Sequence, residues 1–367
     1  MSPQKLEVRR KWLRRGFSAA VDYAVESRAD LFLHAGDLFD SPQPRNVDRA
    51  FVAHELRRLH AAGIHIFAIA GTHDSPKMLT VEGGVTPQKI YEQFDALHMF
   101  NGYADPEPVV VDVDGVSVAI GGVSYDPVLM ASDDPLATLA FPRVADIGIM
   151  LVHYSVEGAC YDAGTEPVIG KASIAALDGV DLLAAGHYHD FRQFNVGRVK
   201  VVIPGATERM IYGAERDASF AYVELVPGKA DRVQKVVVDG QPYRPVTLRT
   251  TELDLSQPFE SACARLETSL AADAVVKVVL EGPLPRETYR HLRLRELLQW
   301  GNNHCFHFEI DSSGLHLQDE HIEQAGKGVR LSQKDEISLV AHQLMESDPE
   351  QRDNLTQALH ELLLAYD

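Results

Sequence analysis

Two histidines separated by one residue, His187 and His189 in Gly186-His-Tyr-His189, follow directly on the apolar run from Asp181 to Ala185. In an extended segment, side chains at i and i+2 point to the same face. Two imidazoles on one face, beside a glycine that allows close approach, form a chelating pair for a transition metal. The alternative is a polar pair at a strand end whose hydrogen bonds are met locally.

Three other segments repeat the arrangement. Asp30 to Ala35 is an apolar run that ends in Gly36-Asp37-Leu-Phe-Asp40, and Ile64 to Ala70 ends in Gly71-Thr-His-Asp74. The run from Ile147 ends on His153. Four strand-like runs thus deliver Asp or His to the point where each strand stops. In open α/β sheets the ligand crevice lies outside the carboxyl ends of the strands, so these residues are expected to converge although they are distant in sequence.

The ordered set Gly36-Asp37-Leu-Phe-Asp40, Gly71-Thr-His-Asp74, His153-Tyr-Ser-Val-Glu-Gly158 and Gly186-His-Tyr-His189 resembles the calcineurin-like metallophosphoesterases. Within them it is most similar to DNA-repair exonucleases of the SbcD and meiotic-recombination-eleven type. Pro204-Gly-Ala-Thr-Glu-Arg209 looks like the P-G-S-x-E-R segment of that branch. The likeness runs from the first residues to about Leu317 and more loosely beyond.

Phosphodiester hydrolysis needs an activated water and charge neutralisation on the phosphoryl oxygens, and two metals about 3.5 to 4 Å apart supply both. Asp37 is the natural bridging carboxylate. The resemblance implies that His153 and His187 hold one metal with Asp37, that His189 holds the other, and that manganese is the ion. It also implies that His73 is the catalytic histidine acting on the leaving oxygen, with Asp74 as its orienting partner. Thr72 stands where the family has a metal-binding Asn, and a hydroxyl is a poorer ligand than an amide oxygen. Relatives open with a strand ending in D-x-H, whereas Met1-Ser-Pro-Gln4 falls where the loop after that strand is expected. An internal start, a truncation, a misjudged start codon and a true loss each fit this.

Composition bounds the reading. A chain of 367 residues suggests roughly two to three domains. Cys160, Cys263 and Cys305 are too few and scattered for a disulfide framework, which fits a reducing cytoplasm. No apolar run approaches the roughly 18 residues that span a bilayer, so a soluble, cytoplasmic protein is expected. The formal net charge of -18 argues against a surface that grips nucleic acid everywhere. Any DNA contact is therefore local; the basic candidates are Arg9-Arg10-Lys11, Arg14-Arg15, Arg45, Arg49, Arg57 and Arg58, or else a partner supplies the grip.

The elements that position these residues are legible as periodicities. Leu6, Leu13, Phe17, Ala20, Val21 and Ala24 recur at helical spacing before a strand at Leu31 to Ala35, and a helix from Val47 to Leu59 precedes a strand at Ile64 to Ala70. After residue 100 the pattern becomes short strands with tight turns, at Val109 to Asp112, Val116 to Ile120, Val199 to Ile203, Phe220 to Val226 and Val233 to Val238. The expected fold class is α/β, a four-layer αββα metallophosphoesterase sandwich over residues 1–240. A small α+β unit is expected over 246–320, which the resemblance implies is a DNA-capping domain. It comprises a helix from Phe259 to Leu270, a strand at Val275 to Leu280, a helix from Glu287 to Trp300 and a final strand pair.

Residues 331–367 are expected to form a helical pair, Gln333 to Glu346 and Glu350 to Ala365, with apolar stripes that either pack on the protein's own core or dock a partner. The resemblance implies that this partner is an SbcC-type coiled-coil ATPase, that the substrate is DNA and that the subunit is a homodimer. Two further classes stay open: a non-catalytic subunit with a degenerate metal site that binds DNA or the ATPase, and a phosphodiesterase acting on small substrates.

Overall fold

The computed structural model describes residues 3–76, 85–103, 107–159, 165–209, 217–227 and 229–318, together with 340, 341, 345, 355, 356 and 359. The chain divides into two compact units, residues 1–282 with 291–315, and residues 283–290 with 316–367. In the second, α6 (Arg286–His291) is helical, as are the six described positions beyond 318. The expected C-terminal helices otherwise lie outside the described residues.

In the first unit, α1 (Pro3–Ser27) buries Gly16, Ala20, Val21 and Ala24, the small and branched residues of its apolar stripe. It ends where Arg28 turns left-handed, at φ 53°. There follow β1 (Leu31–Ala35), α2 (Asn46–Ala61), β2 (His65–Ile69), α3 (Lys89–Glu92) and β3 (His98–Phe100). The three strands form one parallel sheet in the order β1-β2-β3. Parallel strands need crossovers, and the helices between them supply these on one face.

The second sheet has six strands, β4 (Val109–Val113), β5 (Val116–Val123), β6 (Ile147–Val152), β9 (Leu182–Ala185), β10 (Phe191–Val196) and β11 (Val199–Pro204), in the order β10-β11-β9-β6-β5-β4. Between them lie the short parallel pair β7 (Ser155–Val156) and β8 (Val168–Ile169), then α4 (Lys171–Ala175). An antiparallel pair follows, β12 (Ser219–Val226) with β13 (Lys229–Val237).

Packing defines the layers. Val21, Val52, Leu56 and Leu59 of the helices pack on Ile66 and Ala68, forming the outer core on the first sheet. Phe67, Ile69 and Phe100 point the other way and meet Ile120, Ile149, Leu151 and Leu182 of the six-stranded sheet. β12 shows the same alternation: Ala221, Val223 and Leu225 join this inner core, while Phe220 and Tyr222 stack edge-on against Tyr23 of α1 at 5.3 and 5.6 Å. Met150, Val152 and Leu183 face the last layer, built on Ile174, Leu177 and Phe141. The order is helix, sheet, sheet, helix, the expected αββα sandwich. Each fully buried aliphatic side chain contributes about 1.5 to 3 kcal/mol relative to exposure.

The remaining strands of this unit form a sheet in the order β14 (Tyr243–Arg249), β15 (Val275–Pro285), β16 (His307–Gln318). With it go α5 (Pro258–Leu266) and α7 (Leu294–His304). Two expectations are corrected here. The single helix from Glu287 to Trp300 is two helices, α6 and α7, because Leu292 is fully buried and Arg293 adopts φ 47° with its guanidinium 4.0 Å over Phe259. The final strand pair is one twelve-residue strand, β16.

The Pro204 to Arg209 segment clasps this region to α1. Glu208, almost fully buried, lies 3.1 Å from Arg9 and accepts from the Gln241 amide, while Arg209 Nη1 donates to the Gln241 carbonyl at 2.9 Å. Gln241 Nε2 in turn donates to the Asp273 carbonyl at 3.1 Å. Among the described residues, no helix is long and apolar enough to cross a membrane.

Candidate metal centre

The carboxyl ends of β1, β2, β6 and β9 meet. Beyond β1, Gly36 and Asp37 both take left-handed backbone, at φ 90° and 56°, and beyond β9 so does His187, at φ 78°. A non-glycine residue held there costs about 1 to 2 kcal/mol and persists only where its surroundings over-determine it. The turns aim Asp37 and His187 at His153, whose own strand, β6, lies between β9 and β5.

Asp37 is the hub. Its Oδ2 lies 3.1 Å from His153 Nε2 and accepts from Thr72 Oγ1 at 3.3 Å; its Oδ1 accepts from the His73 amide at 2.8 Å. Burial works to raise its pKa, but His153 and the His73 amide outweigh it and bring the carboxyl down to about 2. Asp37 is therefore an anion held ready for a cation.

His153 is 1% exposed. Its Nδ1 lies 2.6 Å from the Ala35 carbonyl, which can only accept, so Nδ1 carries the proton. Its Nε2 is buried with no hydrogen-bond partner among the described residues, because the approach to Asp37 is off the line that a hydrogen bond needs. His153 lowers the Asp37 pKa only when Nε2 carries a proton; in the neutral ring a lone pair faces the carboxylate at 3.1 Å. That repulsive contact is relieved by a proton or a metal ion, and the histidine-with-carbonyl arrangement is the usual support for a ligating ring.

His187 packs edge-to-face on His153 with ring centroids 5.3 Å apart. Burial first, and then the charge of His187, hold the pKa of His189 below its ordinary value; Asp37, His73 and His153 also act on it. The structure thus brings Thr72, the His73 amide and His153 to Asp37, sets the His187 ring against His153, and puts His189 within electrostatic reach of the same groups. Among the described residues, however, no three His, Cys, Asp or Glu side chains are drawn together closely enough to hold an ion as they stand. The donor types fit a divalent metal of mixed nitrogen and oxygen preference.

Asp74 is placed differently from the expectation. It is fully buried and accepts from the amides of Gly71 at 2.7 Å, Leu38 at 2.7 Å and Phe39 at 3.4 Å, and from the Gln88 amide group. Burial raises its pKa to about 6, against the Gly71 amide. It locks the β2 loop to the β1 loop and does not orient His73. That contact belongs to Asp40, whose Oδ1 lies 2.9 Å from His73 Nδ1.

Glu166 is a residue that the motifs do not reveal, with its Oε2 2.8 Å from His187 Nε2. Its only sequence signal is a carboxylate just before the short β8 run.

The basic residues singled out in the sequence are largely paired. Arg14 and Arg45 share Glu7 and Asp48, Arg9 meets Glu208, Arg58 meets Asp22 and Glu55, and Arg15 meets Asp239. Such pairs stabilise little at the surface, but they leave less positive charge for phosphates.

Residues 10–191 match the calcineurin-like phosphoesterase family, and this stretch of the chain is a calcineurin-like phosphoesterase domain. The chain is 27% identical over 313 residues to the DNA double-strand break repair protein Mre11 of Sulfurisphaera tokodaii, covering 83% of this chain and 75% of that one. To the protein of the same name from Sulfolobus acidocaldarius it is 23% identical over 344 residues, covering 91% and 85%. To that of Saccharolobus solfataricus it is 26% identical over 243 residues, covering 65% and 60%. These relatives are of the type suggested by the four motifs.

Proposed function

We propose that the chain is a metal-dependent phosphodiesterase acting on DNA ends, the nuclease subunit of a double-strand-break repair complex. The observation that carries this reading is the buried Nε2 of His153, with no hydrogen-bond partner among the described residues, 3.1 Å from the Asp37 carboxylate where four strand ends meet. Asp37, His153 and His187, with Thr72 beside them, would hold one ion, and Asp37 with His189 a second. Manganese is the ion proposed. When bound, it supplies Lewis-acid stabilisation of the phosphoryl oxygens and a water acidic enough to attack. The chain's own residues do the rest: Asp37 stays anionic, and His73 gives a proton to the leaving oxygen. The relatives' names, which specify double-strand break repair, favour DNA over small phosphodiesters.

With Mn2+ present, the purified chain is expected to degrade linear duplex DNA, and a chelator is expected to stop it. After dialysis, elemental analysis should find fewer than two Mn2+ per chain, because Asp37 and His189 alone are two ligands for the second ion. Binding of DNA without any Mn2+-dependent hydrolysis would support a non-catalytic subunit instead. Hydrolysis of a bis-aryl phosphate, with none of DNA, would support a small-substrate enzyme.

Because the net charge is -18 and the candidate arginines Arg14 and Arg45 are paired with Glu7, we also assign part of the DNA grip to a partner, an SbcC-type coiled-coil ATPase docking on residues 331–367. Removing those residues is expected to abolish co-purification with that ATPase while leaving the melting transition of the sandwich in place. A chain that unfolds on this deletion would make the apolar stripes internal packing. A homodimer in the cytoplasm completes the proposal.

A further inference from the structure

We infer that Glu166 is a positioning residue for His187, fixing which ring nitrogen of that histidine is free to meet the metal; the inference rests on the metal-site reading above. The local fold explains how a loop carboxylate comes to be there. β7 starts two residues after His153 and pairs in parallel with β8, so that Ser155 lies opposite Val168 and Ile169 opposite Val156. Glu166, two residues before β8, is thereby carried back to the end of β6. Ser155, 2% exposed, donates its hydroxyl to Glu166 Oε1, and Glu166 Oε2 lies 2.8 Å from His187 Nε2.

A glutamate carboxylate is ionised at neutral pH and accepts only, here from the Ser155 hydroxyl on one oxygen and against His187 Nε2 on the other. His187 Nε2 must therefore carry the proton, and in the neutral ring the lone pair is on Nδ1. His153 has the opposite arrangement, with Nδ1 protonated against the Ala35 carbonyl and Nε2 free. Two rings packed edge-to-face are thus set in complementary tautomers by two different acceptors. The left-handed backbone of His187 fixes the Cα–Cβ direction, and the carboxylate fixes the ring about it. Carboxylate–histidine–metal triads work in this way, and loss of the outer carboxylate typically weakens metal binding about 10- to 100-fold.

The test uses the full chain, with Mn2+ alone titrated by calorimetry and the histidine ring nitrogens followed by 15N shifts in the metal-free protein. Glu166→Ala is expected to weaken Mn2+ binding about 10- to 100-fold and to move His187 from the Nε2–H tautomer to a mixture, with His153 unchanged. Ser155→Ala should move both readouts in the same direction by less, since it loosens the carboxylate without removing it. A merely structural role would lower the melting temperature and leave the His187 tautomer unmoved. Unchanged His187 shifts and Mn2+ affinity in Glu166→Ala overturn the inference. His153→Ala separates this from the site reading: if its Mn2+ affinity equals that of the unaltered chain, the metal centre is wrong, while the nitrogen shifts still report whether Glu166 sets the His187 ring.

Discussion

His73→Ala is expected to lower Mn2+-dependent hydrolysis of DNA about 10²- to 10⁴-fold, the usual contribution of a general acid or base, while Mn2+ binding and the melting temperature stay near those of the unaltered chain. The separation follows from how His73 is built into the site. Its interaction with Asp37 is made by the backbone amide, at 2.8 Å, and a substitution to alanine keeps that amide. Its ring is half exposed, beyond the Asp37–His153 contact, and is steadied by Asp40 at 2.9 Å. An exposed ring contributes little to folding, so the change should fall within the roughly ±0.5 kcal/mol of ordinary surface substitutions. Asp40 itself is 76% exposed at the side chain, so Asp40→Asn should cost far less activity than loss of the ring. If His73→Ala releases Mn2+, the ring is a ligand; if the hydrolysis rate is unchanged, another group protonates the leaving oxygen.

The residues legible in the sequence were those at the ends of apolar runs. His153 follows β6 directly, Asp37 and His187 follow β1 and β9 after a single glycine, and a buried parallel strand is the pattern that hydropathy shows best. The αββα layering followed from the same runs, because each helix-strand alternation leaves only one face for its crossovers. Roles set by contacts across the chain were not legible. Asp74 sits beside His73 in sequence, yet its carboxylate is turned inward by three amides and Gln88, fourteen residues further on. Asp40, midway along the loop after β1, takes the place that adjacency suggested for Asp74.

Glu166 was hidden for a related reason. Its proximity to His187 depends on the β7–β8 pairing, and two strands of two residues each give almost no periodic signal. The arginines of α1 and α2 could be recognised as basic, but whether they were free depended on Glu7, Asp48 and Glu208, which only the packed helices bring near. In the α5–α7 region, helical spacing continues through Leu292 and Arg293, so the break between α6 and α7 is set by tertiary packing and not by a proline or glycine.

The largest structural effect is expected from adding a single methyl group at Gly186. Three glycines line the meeting point of the strand ends, and at each a Cβ would collide with another element: Gly36 with the His153 ring, Gly71 with Asp37, and Gly186 with the Ala35 carbonyl. Gly186 is the most telling, because its backbone, unlike that of Gly36, is not left-handed, and the atom nearest its Cβ, unlike that at Gly71, is backbone. Its Cβ would overlap the Ala35 carbonyl oxygen and lie 2.7 Å from His153 Nδ1, the two atoms whose hydrogen bond fixes the His153 tautomer. The obstruction on the Ala35 side is backbone, so β1 and β9 must separate or the carbonyl must rotate away. Overpacking of a tight core costs about 1 to 3 kcal/mol, and a buried donor left unmet adds about 1 to 3 kcal/mol. Gly186→Ala should therefore melt several degrees lower and, with His153 released, bind Mn2+ far more weakly. Gly63→Ala is the control, since Gly63 is left-handed at φ 80° with nothing within 4 Å of its Cβ. It should lose about 1 kcal/mol from backbone strain and keep its Mn2+. If Gly186→Ala matches the unaltered chain in both melting and Mn2+ binding, β1 and β9 do not approach as closely as the His153–Ala35 contact requires, and the tautomer on which the metal centre rests is not held in place by that carbonyl.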